Sequence, residues 1–237
     1  MTNEQHEQHE HHAQTPPAPT WLDLYDYRVR MAALYRERAA ALRAGEDAAT
    51  VCQRFRQQKD ALFASHPQSP FADDARSNFT GLRYFSYDAA YCVEASMTPI
   101  ASEEESSKVE AINAPVTPHR RAAYLDFTLG DTPVRLTVFW LDVYGGGLFL
   151  PFRDITCPAE SYGAGRYLFD TVKGSDFLRL DDAQETFGYA GGRVLLDFNY
   201  SYNPSCAYDE RWVCPLAPRE NWLPVAIRAG ERSYHTA

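Results

Sequence analysis

The sequence has no apolar run approaching the ~20 residues that a membrane-crossing helix needs. Its first twenty residues hold no hydrophobic stretch, so a secretory leader is not expected and the cytoplasm is the expected compartment. Clustered basic residues are also missing. The 23 Lys and Arg are scattered, no run exceeds Arg120–Arg121, and the formal net charge is −9. Phosphate backbones demand dense positive charge, so nucleic acid is excluded as a partner. Five cysteines are too few and odd in number for a complete disulfide framework, and in a reducing compartment they stay thiols. No His-Glu-x-x-His, phosphate loop or dinucleotide fingerprint occurs, so neither a metal nor a cofactor is expected.

What is present is aromatic. Fifteen Tyr and thirteen Phe favour strands, because large rings fit a pleated, half-buried surface. The chain divides into three parts. Residues 1–19, rich in His, Glu, Gln and Pro, read as a disordered tail. Residues 20–66 read as a helical hairpin. Thr20 and Asp23 make a variant capping box ahead of an apolar pattern at Leu24, Tyr27, Met31 and Leu42 that Gly45 stops. A second helix starts near Asp47, with Val51, Phe55, Leu62 and Phe63 as its buried stripe. Arg28, Arg30, Arg36 and Arg38 read as a solvated face. Residues 67–237 alternate with period two and read as antiparallel β, the whole of 20–237 forming one folded unit.

Within that part the expected strands are 84–95, 124–129, 133–144, 148–152, 165–172, 194–203 and 223–231. Gly130–Asp131 joins two of them as a hairpin, and Gly191–Gly192 is a further turn. Pro151 calls for an edge or a bulge. Residues 101–110 are acidic and read as flexible. The fold class is therefore mainly β: an antiparallel barrel or barrel-like sandwich carrying an N-terminal α-helical hairpin.

Three segments hold more polar residues than strand logic requires. In "SYGAGRYL", Gly163 and Gly165 leave one face bare, so that a ring or a ligand can approach the backbone. Tyr162 and Arg166 point the other way, and the Arg166 fork suits a carboxylate or phosphate. Alternatively Arg166 pairs with Asp154 or Asp197 and ties strands together. In "LDFNYSYNPSCAY", Asp197, Asn199 and Asn203 form a polar row, followed by a loop with Cys206 and Tyr208. Cys206 as a nucleophile needs a nearby base, and residues 120–234 contain no His. In "KDALFASHPQSPF", Lys59 and Asp60 sit on the second helix, free to pair with a carboxylate and a loop N–H.

These segments, together with "FTGLRYF", "LFLPFRDIT" and "CPLAPRENWLPVAIRAGE", resemble domain-of-unknown-function family 1684, whose members are mostly bacterial. The resemblance runs from Lys59 to Glu231 and implies a common fold and a shared polar cluster, with no reaction attached. The expectation from the residues is a site for a small acidic molecule in a polar and aromatic pocket. Arg166, Asn199, Asn203, Tyr162 and Tyr208 would bind it. Asp197 would serve as general base if the protein is an enzyme, since burial beside rings raises a carboxyl pKa. Two alternatives stand beside it: a structural or interaction module without a ligand, and a hydrolase using Cys206. The oligomeric state is open.

Overall fold

The computed structural model describes residues 19–101, the backbone of 108–109, and residues 118–180 and 192–235. Residues 1–18 of the tail expected over 1–19, most of the acidic stretch at 101–110 and the Gly191 side of the glycine turn lie outside the described residues.

Helix α1 spans Trp21–Arg43 and begins as its sequence dictates. The Thr20 hydroxyl accepts the Asp23 N–H, and the Asp23 carboxylate accepts the Thr20 N–H, so two orphan donors are satisfied reciprocally. Helix α2, Ala48–Ser65, is capped by Asp47, whose carboxylate accepts the Thr50 N–H. A short helix α3, Asp73–Ser77, follows.

Among the described residues, eight antiparallel strands make one curled, half-barrel sheet: β1 Cys92–Pro99, β2 Lys108–Val109, β3 His119–Leu129, β4 Thr132–Leu141, β5 Leu148–Phe152, β6 Arg166–Asp170, β7 Leu178–Arg179 and β8 Gly192–Asp197. Their order is β6-β5-β4-β3-β1-β8-β7, and β2 pairs β3 beyond the reach of β1. The β3–β4 hairpin turns at Gly130 and pairs Leu129 with Thr132. Leu125, Phe127 and Leu129 on β3, with Val134, Leu136 and Val138 on β4, are all buried in one core. Period-two alternation aims each set at the same face. The register of β5 and β6 slips between Leu150 and Pro151, the bulge that a proline inside a strand requires.

Three strand expectations need correction. Residues 84–91 are not strand. Tyr84 makes one bridge to Glu231, a 3₁₀ turn fills Ala89–Tyr91, and β1 starts only at Cys92. The strand expected to reach Asn203 stops at Asp197, because the Asp197 carboxylate accepts the Asn199 N–H and winds Phe198–Tyr200 into a 3₁₀ turn. Residues 223–231 are irregular, yet Ile227 and Ala229 are fully buried in the sheet core, held by side chains rather than by strand pairing.

The helices dock through rings. Tyr35 meets Phe55 edge-on at 4.9 Å, and Phe55 meets Tyr200 at 5.0 Å, beyond the end of β8. Tyr208 packs on Phe63 and Phe71 within the same cluster.

Candidate functional site: two buried cations and a cleft

Arg166, the first residue of β6, is 0% exposed. One terminal nitrogen donates to the Ala229 and Glu231 carbonyls; the other donates to the Ile227 carbonyl at 2.8 Å and to Asp154 Oδ1 at 3.2 Å. Asp154 also accepts the Ile227 N–H at 2.7 Å and the Thr156 hydroxyl. The guanidinium thus threads three carbonyls of the C-terminal segment onto the sheet. The polar row has a similar use. Asn199 accepts the Asp88 N–H and donates to the Asp88 carbonyl, and Asp197 accepts from both the backbone and the side chain of Asn199.

These contacts correct the expectation that Arg166 and Asn199 line a ligand pocket: their polar groups already hold the chain together. The glycine face is also closed. Residues 162–165 form a turn ahead of β6. A Cβ on Gly165, whose φ is +95°, would sit 2.4 Å from the Phe152 carbonyl oxygen, so the close approach is backbone to backbone. Burial does push the Asp197 carboxyl up, but the group lines neither of the two clefts described below.

The second buried cation is differently placed. Lys59 on α2 sits 2.5 Å from Glu231 Oε1. The other Glu231 oxygen accepts the Asn203 N–H at 2.9 Å and the Tyr208 hydroxyl. Glu231 is delivered by Gly230, which has φ +75° and lies so close to Ser201 that a Cβ would fall 2.1 Å from its hydroxyl. No other residue fits there. The Lys59 ammonium also lies 4.7 Å from the Tyr202 ring centroid and 5.2 Å from that of Phe63.

Lys59 borders a cleft of about 250 Å³ between the helical hairpin and the loop of residues 200–214. Tyr27, Phe63, Tyr167, Tyr202, Tyr208 and Trp212 supply its rings, and Arg28 and Lys173 add charge beside Lys59. Asn203 and Tyr208 are the sequence-selected residues at its wall. Tyr162 lies behind, its hydroxyl 3.8 Å from Cys206 Sγ.

Cys206 and Cys214 meet at this wall, the Cys206 N–H pointing at Cys214 Sγ at 3.4 Å. All five cysteines are free thiols. The contact with Cys214 pushes the Cys206 thiol well up, whereas the hydrogen bond from Cys206 lowers Cys214 to about 6. Cys206 therefore holds its proton and donates it, and its hydrogen-bond neighbours are Tyr162 and Cys214 rather than a histidine, which removes the geometry a nucleophilic Cys206 requires. His66 stands 3.0 Å from Asp26, and His119 meets the Phe139 ring edge-on.

A family model described as a protein of unknown function (DUF1684) matches residues 77–232. The chain belongs to DUF1684. The solution NMR structure of the uncharacterized protein from gene locus rrnAC0354 of Haloarcula marismortui is 33% identical, with a TM-score of 0.53, over 77% of this chain and 92% of that one. No curated protein matches. The DUF1684 match starts after α2, so it holds the Arg166 cluster and Glu231 but not Lys59, the cation that pairs with Glu231 and lines the cleft. Sequence reasoning singled out Lys59 but not Glu231 as its partner. The two are far apart in sequence, and only the local Gly230–Glu231 pair hinted at a constrained carboxylate.

Proposed function

We propose that the protein binds a small molecule with an apolar or aromatic body and an acidic group in the cleft between the helical hairpin and the loop of residues 200–214. The observation that carries this reading is a ring-walled cavity bordered by three cationic side chains, Arg28, Lys59 and Lys173, in a chain of net charge −9. Concave, mostly apolar pockets with a few convergent polar groups are the usual form of a small-molecule site. Asn203 and Tyr208 hold Glu231, Glu231 fixes Lys59, and the fixed ammonium meets the acid without the entropy loss of ordering a free lysine.

Native mass spectrometry of the purified full chain tests this, followed by thermal shifts with a panel of aromatic carboxylic acids. The wild type should carry a bound mass or gain stability with at least one acid. Ser205→Trp fills the cleft from its rim without touching Lys59, and should abolish both signals while leaving the melting temperature of the free protein within a few degrees. A wild type that responds to no acid and carries no mass, or a Ser205→Trp variant that still binds, overturns the reading.

A further inference from the structure

On the other side of the Tyr35–Ser175 wall lies a second cleft of about 400 Å³, between α1 and residues 171–179. We propose that it binds the phosphoryl group of a small molecule, with Arg38 as the inner anchor. This inference goes beyond the reading of the first cleft and does not depend on it.

The sequence placed Arg38 in a solvated face, but Arg38 is 5% exposed. Its guanidinium carbon lies 4.5 Å from the Tyr200 ring centroid and 5.3 Å from that of Tyr35. Its Nε is buried with no hydrogen-bond partner, and among the described residues Arg38 makes no hydrogen bond or ion pair at all. A buried Nε–H without a partner is costly, and the terminal nitrogens likewise meet no acceptor among the described residues. Two stacked rings hold its plane but satisfy no N–H. Asp197 and Asp176 attract it only at long range, without an ion-pair contact. The contrast with Arg166 lies in the terminal nitrogens: both guanidiniums have an unpartnered Nε, but the terminal nitrogens of Arg166 are met by three carbonyls and a carboxylate.

The surroundings favour an anion of high charge. Arg36 and Arg43 stand at the rim, a face of α1 on which residues seven apart align, and Arg179 enters from β7. Ala32 and Ala39 on the same helix are small and leave the space open. Asp176 is the one carboxylate among the lining residues, against four guanidiniums. A phosphate monoester carries close to two charges and three acceptor oxygens, which several arginine forks match better than one carboxylate does.

The test is titration of the full chain with inorganic pyrophosphate at constant ionic strength, followed by calorimetry and by the melting temperature. Saturable binding is expected. Arg38→Met keeps the packing between the rings and should weaken binding about tenfold or more, as loss of charged hydrogen bonds does. The rim pair Arg36→Ala with Arg43→Ala should weaken it similarly, and decides the matter alone if Arg38→Met does not fold. Lys173→Ala borders only the first cleft and should leave pyrophosphate affinity unchanged. A wild type without saturable binding, rim variants that bind as well as wild type, or loss of affinity in Lys173→Ala overturns the site. Citrate binding tighter than pyrophosphate overturns the phosphoryl assignment.

Discussion

Arg166 and Lys59 are both buried cations in salt bridges to acids that also anchor backbone, yet they differ in what lies beyond the pair. Around Arg166 both terminal nitrogens are matched, by Asp154 and three carbonyls, with the Phe152 ring 5.2 Å away and only the enclosed Nε left without a partner. Around Lys59 the carboxylate of Glu231 occupies one side, rings occupy two, and the remaining side is the cleft. A fully enclosed arginine is a structural rivet. A lysine with one open side is a charge held ready for something that enters. The same residue, Glu231, joins both: its carbonyl accepts from Arg166 and its carboxylate accepts from Lys59. The rivet therefore positions the open site.

The largest expected effect breaks the first half of this comparison. Arg166→Met leaves Asp154 buried without its cation and frees three carbonyls, and should cost about 3–5 kcal/mol or prevent folding. Chemical denaturation reads it, and a loss below about 1 kcal/mol would mean that the enclosed guanidinium holds nothing.

Lys59→Met ranks next, at about 3 kcal/mol, because Glu231 loses its cation but keeps the Asn203 N–H and the Tyr208 hydroxyl. Adding Glu231→Gln to Lys59→Met should recover part of that loss in a double-mutant cycle. Independent, additive losses would show that the pair is not coupled.

Asn221 sharpens the contrast on the closed side. Its side chain accepts the Thr137 N–H at 2.7 Å and donates to the Thr137 and Pro151 carbonyls, bridging β4 and β5 where their own ladder has only two pairs. Asn221→Ala should cost about 2 kcal/mol, measured by urea midpoint, with no effect on any cleft ligand.

The smallest effect lies on the open side. Cys214 is an acid whose folded pKa, about 6, lies below its ordinary thiol value. A depressed pKa contributes stability that is fully present above the unfolded thiol pKa and is lost as pH falls through about 6. Thiolate ultraviolet absorbance should therefore titrate near that pH and vanish in Cys214→Ser, and the variant's stability deficit should be larger at alkaline than at acid pH. A titration midpoint at an ordinary thiol value would remove the hydrogen bond assigned from Cys206 to Cys214.

Local chemistry was legible in the residues. The capping box at Thr20, the Gly130 hairpin and the Pro151 bulge each depend on neighbours within a few positions, so their sequence patterns sufficed. The 194–203 segment shows where such patterns mislead. Its alternation continues past Asp197, but a side-chain cap on Asn199 competes with the ladder and wins. Residues 223–231 look like a strand and instead make scattered backbone contacts, with Arg166 pinning three of their carbonyls. Of the expected site residues, Asn203 and Tyr208 line the cleft, Arg166 and Asn199 are spent on holding the chain together, and Arg38, read as solvated, is buried.

The sequence alone determined that this DUF1684 chain would be an aromatic-rich antiparallel sheet with a capped helical hairpin, because period and turn chemistry are properties of short stretches. Only the tertiary structure decided which cation is enclosed and which faces open space. That depends on whether carbonyls from residues some sixty positions away, Ile227, Ala229 and Glu231, arrive at the guanidinium, as they do at Arg166 and do not at Arg38. No pattern local to an arginine encodes who will meet it.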